Sequence, residues 1–195
     1  MRQYCCLLLI LLSLSSCTKT DFYGTEIPPN LPTTPFTLTD QFGEPFSLQA
    51  QQGHVVIAFF GFTYCPDICP TTLSKWQQVE TALGRQASEV RFVYITVDPE
   101  RDTPETMREH LAIFSPDFIG LTGDTTALQE VYDGYGIMHE KVKISDSAAG
   151  YLINHTARFY LFDKSGRWRL TCRNDATVEE LTHDIKLLAK EDVTS

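Results

Sequence analysis

Two cysteines four positions apart, Cys65 and Cys69, stand in the stretch FFGFTYCPDICP, each followed by a proline. Thiols at i and i+4 near the start of a helix share one face about a turn apart, so both sulfurs can address one atom. A helix N-terminus favours negative charge and lowers a thiol's pKa, and the thiolate is the form that attacks disulfides and binds metal. The pair is therefore open to thiol–disulfide exchange and to metal binding. An inert disulfide is the bland use, and it is disfavoured: a bridge over so short a loop adds little stability, and an exposed bridge at a helix start is reactive.

Spacing and a third group separate the two chemistries. Oxidoreductases of thioredoxin-like fold typically place two residues between their cysteines, whereas Pro66, Asp67 and Ile68 intervene here. Such enzymes also carry a cis-proline just before the strand that faces the active site. The matching stretch of this chain, YLINHTARFYLFD, has no proline and instead has a histidine, His155. Two thiolates and an imidazole suit Cu(I), Cu(II) or zinc. Copper has the stronger case, because a trigonal thiolate-rich site accepts Cu(I) while structural zinc normally requires four protein ligands. An open site with few ligands also lets the metal be handed on.

Other residues of suitable type have plainer expectations. Asp67, between the cysteines, is expected to cap the helix or tune the site. Asp98 and Asp102 in DPERD are expected to serve a turn and a helix cap, and Met138-His139 to be a surface pair. His54, His110 and His183 are expected to be structural or solvent-facing. Cys172, in RWRLTCRND, is expected to be structural and unpaired.

The elements that must position these groups follow from pattern. FTLTDQFGEPFSL alternates around Gly43 as a hairpin does, and HVVIAFFGF and VRFVYITVD are continuous apolar runs of the kind buried on both faces of a sheet. Leu73, Trp76, Val79 and Leu83 recur at helical spacing and Gly84 ends the run. Asp102-Thr103-Pro104-Glu105 opens a second helix whose inner face is Met107, Leu111 and Phe114. FIGLTGD gives a short strand, and Leu128, Val131, Tyr132 and Tyr135 mark a third helix. An excursion over 137–153 precedes the strands ARFYLFD and RWRLT, and a Thr177…Glu180 capping box starts a last helix with Val178, Leu181, Ile185 and Leu188 inward. Strands alternating with helices predict an α/β fold of thioredoxin-like architecture: a mixed central sheet with helices on both faces, an N-terminal β-hairpin extension, and the cysteine pair at the carboxyl edge where sites of open α/β sheets gather.

The first residues are set apart. MRQYCCLLLILLSLSSC has the layout of a secretory signal, and its apolar run is short of the roughly 20 residues of a spanning helix. Leu14-Ser15-Ser16-Cys17 resembles a bacterial lipobox, so residues 1–16 are expected to be a lipoprotein signal peptide and Cys17 to be lipidated. Residues 17–35, with four prolines in the last eight, read as a tether, and 36–195 as the domain. This places the domain outside the cytoplasm, on the periplasmic side of a bacterial membrane, where disulfides form. Of six cysteines, Cys5 and Cys6 leave with the signal and Cys17 carries lipid, so Cys65, Cys69 and Cys172 remain as thiols. Loss of Arg2 with the signal moves the formal charge from -9 to -10. So acidic a domain is a poor nucleic-acid binder.

GFTYCPDICP, VDPERDTPETM, FIGLTG and YLINHTARFYLFD together resemble the successive signatures of the Sco/SenC family, in the family's order and at similar intervals. The similarity runs from about Phe36 to the terminal helix. It implies a membrane-tethered thioredoxin-like domain that binds copper and helps assemble the binuclear copper centre of cytochrome c oxidase subunit II. The ligands carried over by position are Cys65, Cys69 and His155. Some relatives act mainly as thiol reductants of the oxidase subunit's cysteines. The chain is thus expected to be a copper metallochaperone rather than an enzyme, with thiol–disulfide reduction of that subunit or another extracytoplasmic partner as the alternative. Many members are held by a transmembrane helix; here lipid on Cys17 is expected to take its place.

Overall fold

Apolar runs and helical stripes become strands and helices largely where the pattern puts them. The computed structural model describes residues 21–144 and 150–191. Its strands are β1 (Thr25–Glu26), β2 (Thr37–Asp40), β3 (Pro45–Ser47), β4 (Val55–Gly61), β5 (Val90–Thr96), β6 (Ile119–Thr122), β7 (His139–Lys143), β8 (Tyr151–His155), β9 (Arg158–Phe162) and β10 (Trp168–Arg173). Its helices are α1 (Ile68–Leu83), α2 (Pro104–Ala112), α3 (Thr125–Tyr135) and α4 (Val178–Lys190). Eight of the described strands form one sheet in the order β1-β10-β9-β4-β5-β6-β2-β3, and β7 and β8 pair apart as a ribbon. β4, β5 and β6 run parallel; the other neighbours are antiparallel. The mixed sheet, the covering helices and the β2–β3 hairpin are the thioredoxin-like arrangement that the alternation predicts.

The two faces of the sheet are filled by different helices because β4 is apolar at every position and buried throughout. Phe59 and its register partners Tyr94 and Phe159 lie on one face. There Phe59 and Phe159 meet the Trp76 ring of α1, and Gly120 of β6 admits Leu111 and Met107 of α2. Phe60 points the other way, onto Tyr132 and Tyr135 of α3. α4 packs on α1. Gly84 stops α1 with a positive φ of 57°, and the Thr177–Glu180 capping box that starts α4 is present in both directions.

Three local expectations change. The cap of α2 is Thr103, whose side chain accepts from the Thr106 amide, not Asp102; Asp102 is fully buried and accepts from the Thr63 amide and from the Thr63 and Thr96 hydroxyls. The excursion over 137–153 contains paired structure, the β7–β8 ribbon. Ordered contacts also begin ahead of Phe36: β1 pairs with β10, Asp184 accepts from the amides of Tyr23 and Gly24, and the Tyr135 hydroxyl donates to the Thr34 carbonyl. The signal segment and Cys17 lie outside the described residues. Among those described, no helix is long and apolar enough to cross a membrane.

Candidate metal centre

β4 ends at Gly61, and the chain turns through Phe62–Asp67 before α1 begins, which sets Cys65 in the turn and Cys69 in the first turn of the helix. Both thiols are unbridged; Cys65 is half-buried and Cys69 fully buried. Asp67 takes the N-cap position, but its side chain makes no capping bond. The Cys65 sulfur does that work instead, accepting from the Cys69 amide at 3.5 Å, so a free donor of the helix start is aimed at sulfur. The expectation that Asp67 caps through its carboxylate is thereby corrected: Asp67 acts on Cys65 through its backbone amide.

The two thiols differ in acidity because their surroundings differ. The Cys69 thiol donating to Cys65 is the main cause that draws the Cys65 thiol down to about 4; burial opposes it, and His155 and the amides of Asp67 and Cys69 add to the pull. Cys69 moves the opposite way, pushed far above the ordinary thiol range first by its bond to Cys65 and then by burial. The pair is one accessible thiolate backed by one buried thiol.

His155 closes the group from the far side. It ends β8, and its ring stands edge-on to Phe59 and Phe62, with centroids 6.1 and 5.9 Å away. Nδ1 lies 3.1 Å from the Thr156 carbonyl, which can only accept, so Nδ1 carries the proton and Nε2 keeps a lone pair. Nε2 lies 4.0 Å from Cys69 Sγ. Contacts run from Cys65 to Cys69 and from Cys69 to His155. As placed, no three His, Cys, Asp or Glu side chains among the described residues close tightly around a single point.

With this geometry in hand, the likeness to known proteins has a site to attach to. A family model described as SCO1/SenC matches residues 25–190. The chain belongs to the SCO1/SenC family. It is 39% identical over 147 residues to a SCO2-like protein of Rickettsia prowazekii, covering 75% of this chain and 72% of that one. Among solved structures it is similar to copper-bound ScoI of Bradyrhizobium japonicum, at 40% identity and a TM-score of 0.72, covering 79% of this chain and 97% of that chain. It is also similar to apo Sco1 of Thermus thermophilus, at 33% identity and a TM-score of 0.76, covering 88% and 99%.

Around the cysteines of this SCO1/SenC domain lie residues that sequence reasoning passed over. Tyr94 of β5 is fully buried, and burial followed by the adjacent Cys69 pushes its hydroxyl well above the usual range. Gly61 makes room for both: a Cβ there would meet the Tyr94 hydroxyl at 2.4 Å and Cys69 Sγ at 2.9 Å. Arg101 lies over the Tyr151 ring at 3.7 Å and the Tyr64 ring at 4.8 Å, and it donates to the Tyr151 carbonyl and to Asp98. The Tyr151 hydroxyl donates to the other oxygen of Asp98 at 2.8 Å. Arg101 therefore ties the β8 strand that carries His155 to Tyr64, the neighbour of Cys65. The DPERD stretch was the available signal, since a charged run after a buried strand can face inward.

The plainer expectations fare variously. Arg91 donates to His54 at 2.7 Å, and His183 pairs with Asp184. Burial lowers the His110 pKa, which keeps that ring neutral. Cys172 is buried and unpaired, its thiol pushed up to about 12 by burial with Asp184 and Glu180 adding, as suits a structural residue. Met138 and His139 are exposed, yet they stand beside His155 rather than apart from it.

Proposed function

We propose that this protein is a copper metallochaperone that holds Cu(I) or Cu(II) through Cys65, Cys69 and His155 and helps assemble the binuclear copper centre of cytochrome c oxidase subunit II. The observation that carries the reading is His155 Nε2, its lone pair free, 4.0 Å from Cys69 Sγ across the same small gap as the Cys65 thiolate. The donor set fits the ion: two sulfurs and a neutral imidazole are the ligands that soft and borderline copper prefers. A small contraction of side chains would bring the three to one centre. The copper-bound relative adds chemical context from the same family. On this reading copper is cargo, and the half-buried Cys65 is where a partner's ligands would take it over.

Anchoring of the domain by lipid on Cys17, outside the cytoplasm, belongs to the same proposal and would hold the site near a membrane-bound oxidase. Asp67 contributes by its amide, through the Cys65 thiolate.

A second reading is favoured by the split acidity of the pair. An accessible thiolate backed by a protonated thiol is the arrangement of a nucleophile and its resolving partner, so the domain would reduce a disulfide of the oxidase subunit or another extracytoplasmic partner. Anaerobic Cu(I) and Cu(II) titrations of the reduced protein and of Cys65→Ser, Cys69→Ser and His155→Ala separate the two. The copper reading expects one copper per domain and a clear loss of Cu(II) affinity in His155→Ala. Full Cu(II) affinity and an unchanged spectrum in that variant would remove the three-ligand site and leave the reductase.

A further inference from the structure

Each end of the main sheet is closed by a short strand, two residues in β1 and three in β3, the latter opening on Pro45. The β7–β8 ribbon is built otherwise. β7 is five residues long, has no proline or glycine, and is exposed at every position. Thr156 donates to the Met138 carbonyl and Ile144 to the Gly150 carbonyl, so in the register that sets His139 against His155 the bonded pairs fall at the even-numbered positions of β7. His139, Lys141 and Lys143 form the non-hydrogen-bonded pairs, and their N–H and C=O groups point away from β8. Among the described residues nothing bonds to these outward groups. They are the open half of a ladder, and an extended chain is what completes one.

Alternation divides the side chains of this edge. His139, Lys141 and Lys143 share the face of Tyr151, Ile153 and His155. There the His139 ring rests on Tyr132, and Lys141 reaches Glu100 at 2.6 Å with both ends exposed. Met138, Glu140 and Val142 take the other face, where Met138 is 79% and Val142 39% exposed. A segment laid against β7 would meet cations on one face and, on the other, apolar surface interrupted by Glu140. A second copy of this chain fits badly: centred pairing sets Lys141 against Lys141, and like charges directly opposite destabilise a ladder. Acidic residues alternating with apolar ones fit both faces.

We propose that the open edge of β7 docks a partner protein by strand addition, the partner supplying an extended segment in which acidic and apolar residues alternate. The inference rests on the reading above that Cys65, Cys69 and His155 act on a protein partner, and it holds for copper transfer and for disulfide reduction alike. Strands pair about 4.8 Å apart, so the added strand would run about 10 Å from β8, which ends on His155. Residues flanking the docked segment are then held beside the site, while the segment itself takes no ligand's place. Backbone bonds supply the affinity and the alternating side chains the register.

The test uses the reduced, metal-free full chain and a capped synthetic peptide, Glu-Val-Glu-Val-Glu, followed by NMR and amide hydrogen exchange. Docking should slow exchange at the outward amides of Lys141 and Lys143 by about tenfold at saturating peptide. Lysine in place of glutamate in the peptide should weaken it by about tenfold. Residues opposite Lys141 and Lys143 would pair through their own amides, so N-methylation of the glutamates should abolish docking and N-methylation of the valines should leave it. Equal binding of the two methylated peptides, no protection of the outward amides, or protection that grows with protein concentration without peptide would overturn the proposal, the last by making a second copy the occupant. Copper titration of the same samples keeps the two readings apart. A chain that docks the peptide but takes up no copper removes only the metal, and one that binds copper while β7 stays unprotected removes only the docking edge.

Discussion

Cys65 owes its acidity first to the Cys69 thiol that donates to it, with His155 and the backbone amides at the start of α1 adding to the pull. Its pKa of about 4 against an ordinary 9.0 fixes the sign of its pH effects. Between those values the unfolded chain binds one more proton at this position than the folded chain, so Cys65 contributes stability that is full above the unfolded value and is lost as pH falls through about 4. The reduced protein, measured against Cys65→Ser in denaturant titrations from pH 5 to pH 8, should therefore gain relative stability as pH rises. Alkylation by iodoacetamide should stay nearly flat over that range, whereas an ordinary thiol would slow about tenfold for each pH unit below its pKa. A steep alkylation profile would contradict the donor arrangement. Gly61 supplies a second test, since a methyl there collides with the Tyr94 hydroxyl and Cys69 Sγ. Gly61→Ala should weaken copper binding in a ligand-competition assay while the fold survives, and unchanged affinity would show that the floor under Cys69 is not needed. Cys65, Cys69 and His155 were legible as types and spacing. Tyr94 was not, because a tyrosine inside an apolar strand carries no mark that its hydroxyl will face a sulfur.

At the scale of elements, periodicity served well wherever one face is apolar. β4, β5, α1 and α3 follow their stripes, and the Thr177–Glu180 box marks the start of α4. The β7–β8 ribbon was harder to read: all of β7 is exposed, so it has no buried face to write a period-two signal. Its position is set by side chains from elsewhere, chiefly Arg101 stacked on Tyr151 and paired with the buried Asp98. Asp102 misled for the same reason, since a carboxylate before Thr-Pro-Glu looks like a cap until Thr63 and Thr96 are found to bind it. Replacing Arg101 by alanine should cost about 3–5 kcal/mol, the usual effect of leaving one member of a buried pair uncompensated. It should also speed amide hydrogen exchange at Asn154 and His155 more than in β4. Equal change in the two strands would mean that Arg101 stabilises the domain without holding the ribbon.

For the whole molecule, the sheet order brings residues from distant parts of the chain to one edge: the turn after β4, the loop after β5 and the end of β8. Sequence distance hides that meeting; the histidine standing where a thioredoxin-like enzyme has its cis-proline, and the likeness of four motifs to a known family, pointed to it beforehand. The chain near Tyr23 is held to the domain through β1 and Asp184, ahead of the expected domain start at Phe36. The central claim is that copper sits between Cys65, Cys69 and His155. X-ray absorption at the copper edge of the reduced, Cu(I)-loaded chain tests it most directly. The account predicts one copper with two sulfur neighbours and one imidazole nitrogen, the nitrogen signal disappearing in His155→Ala and the sulfur signals in the cysteine variants. A copper environment without sulfur, or one that His155→Ala leaves unchanged, would contradict it.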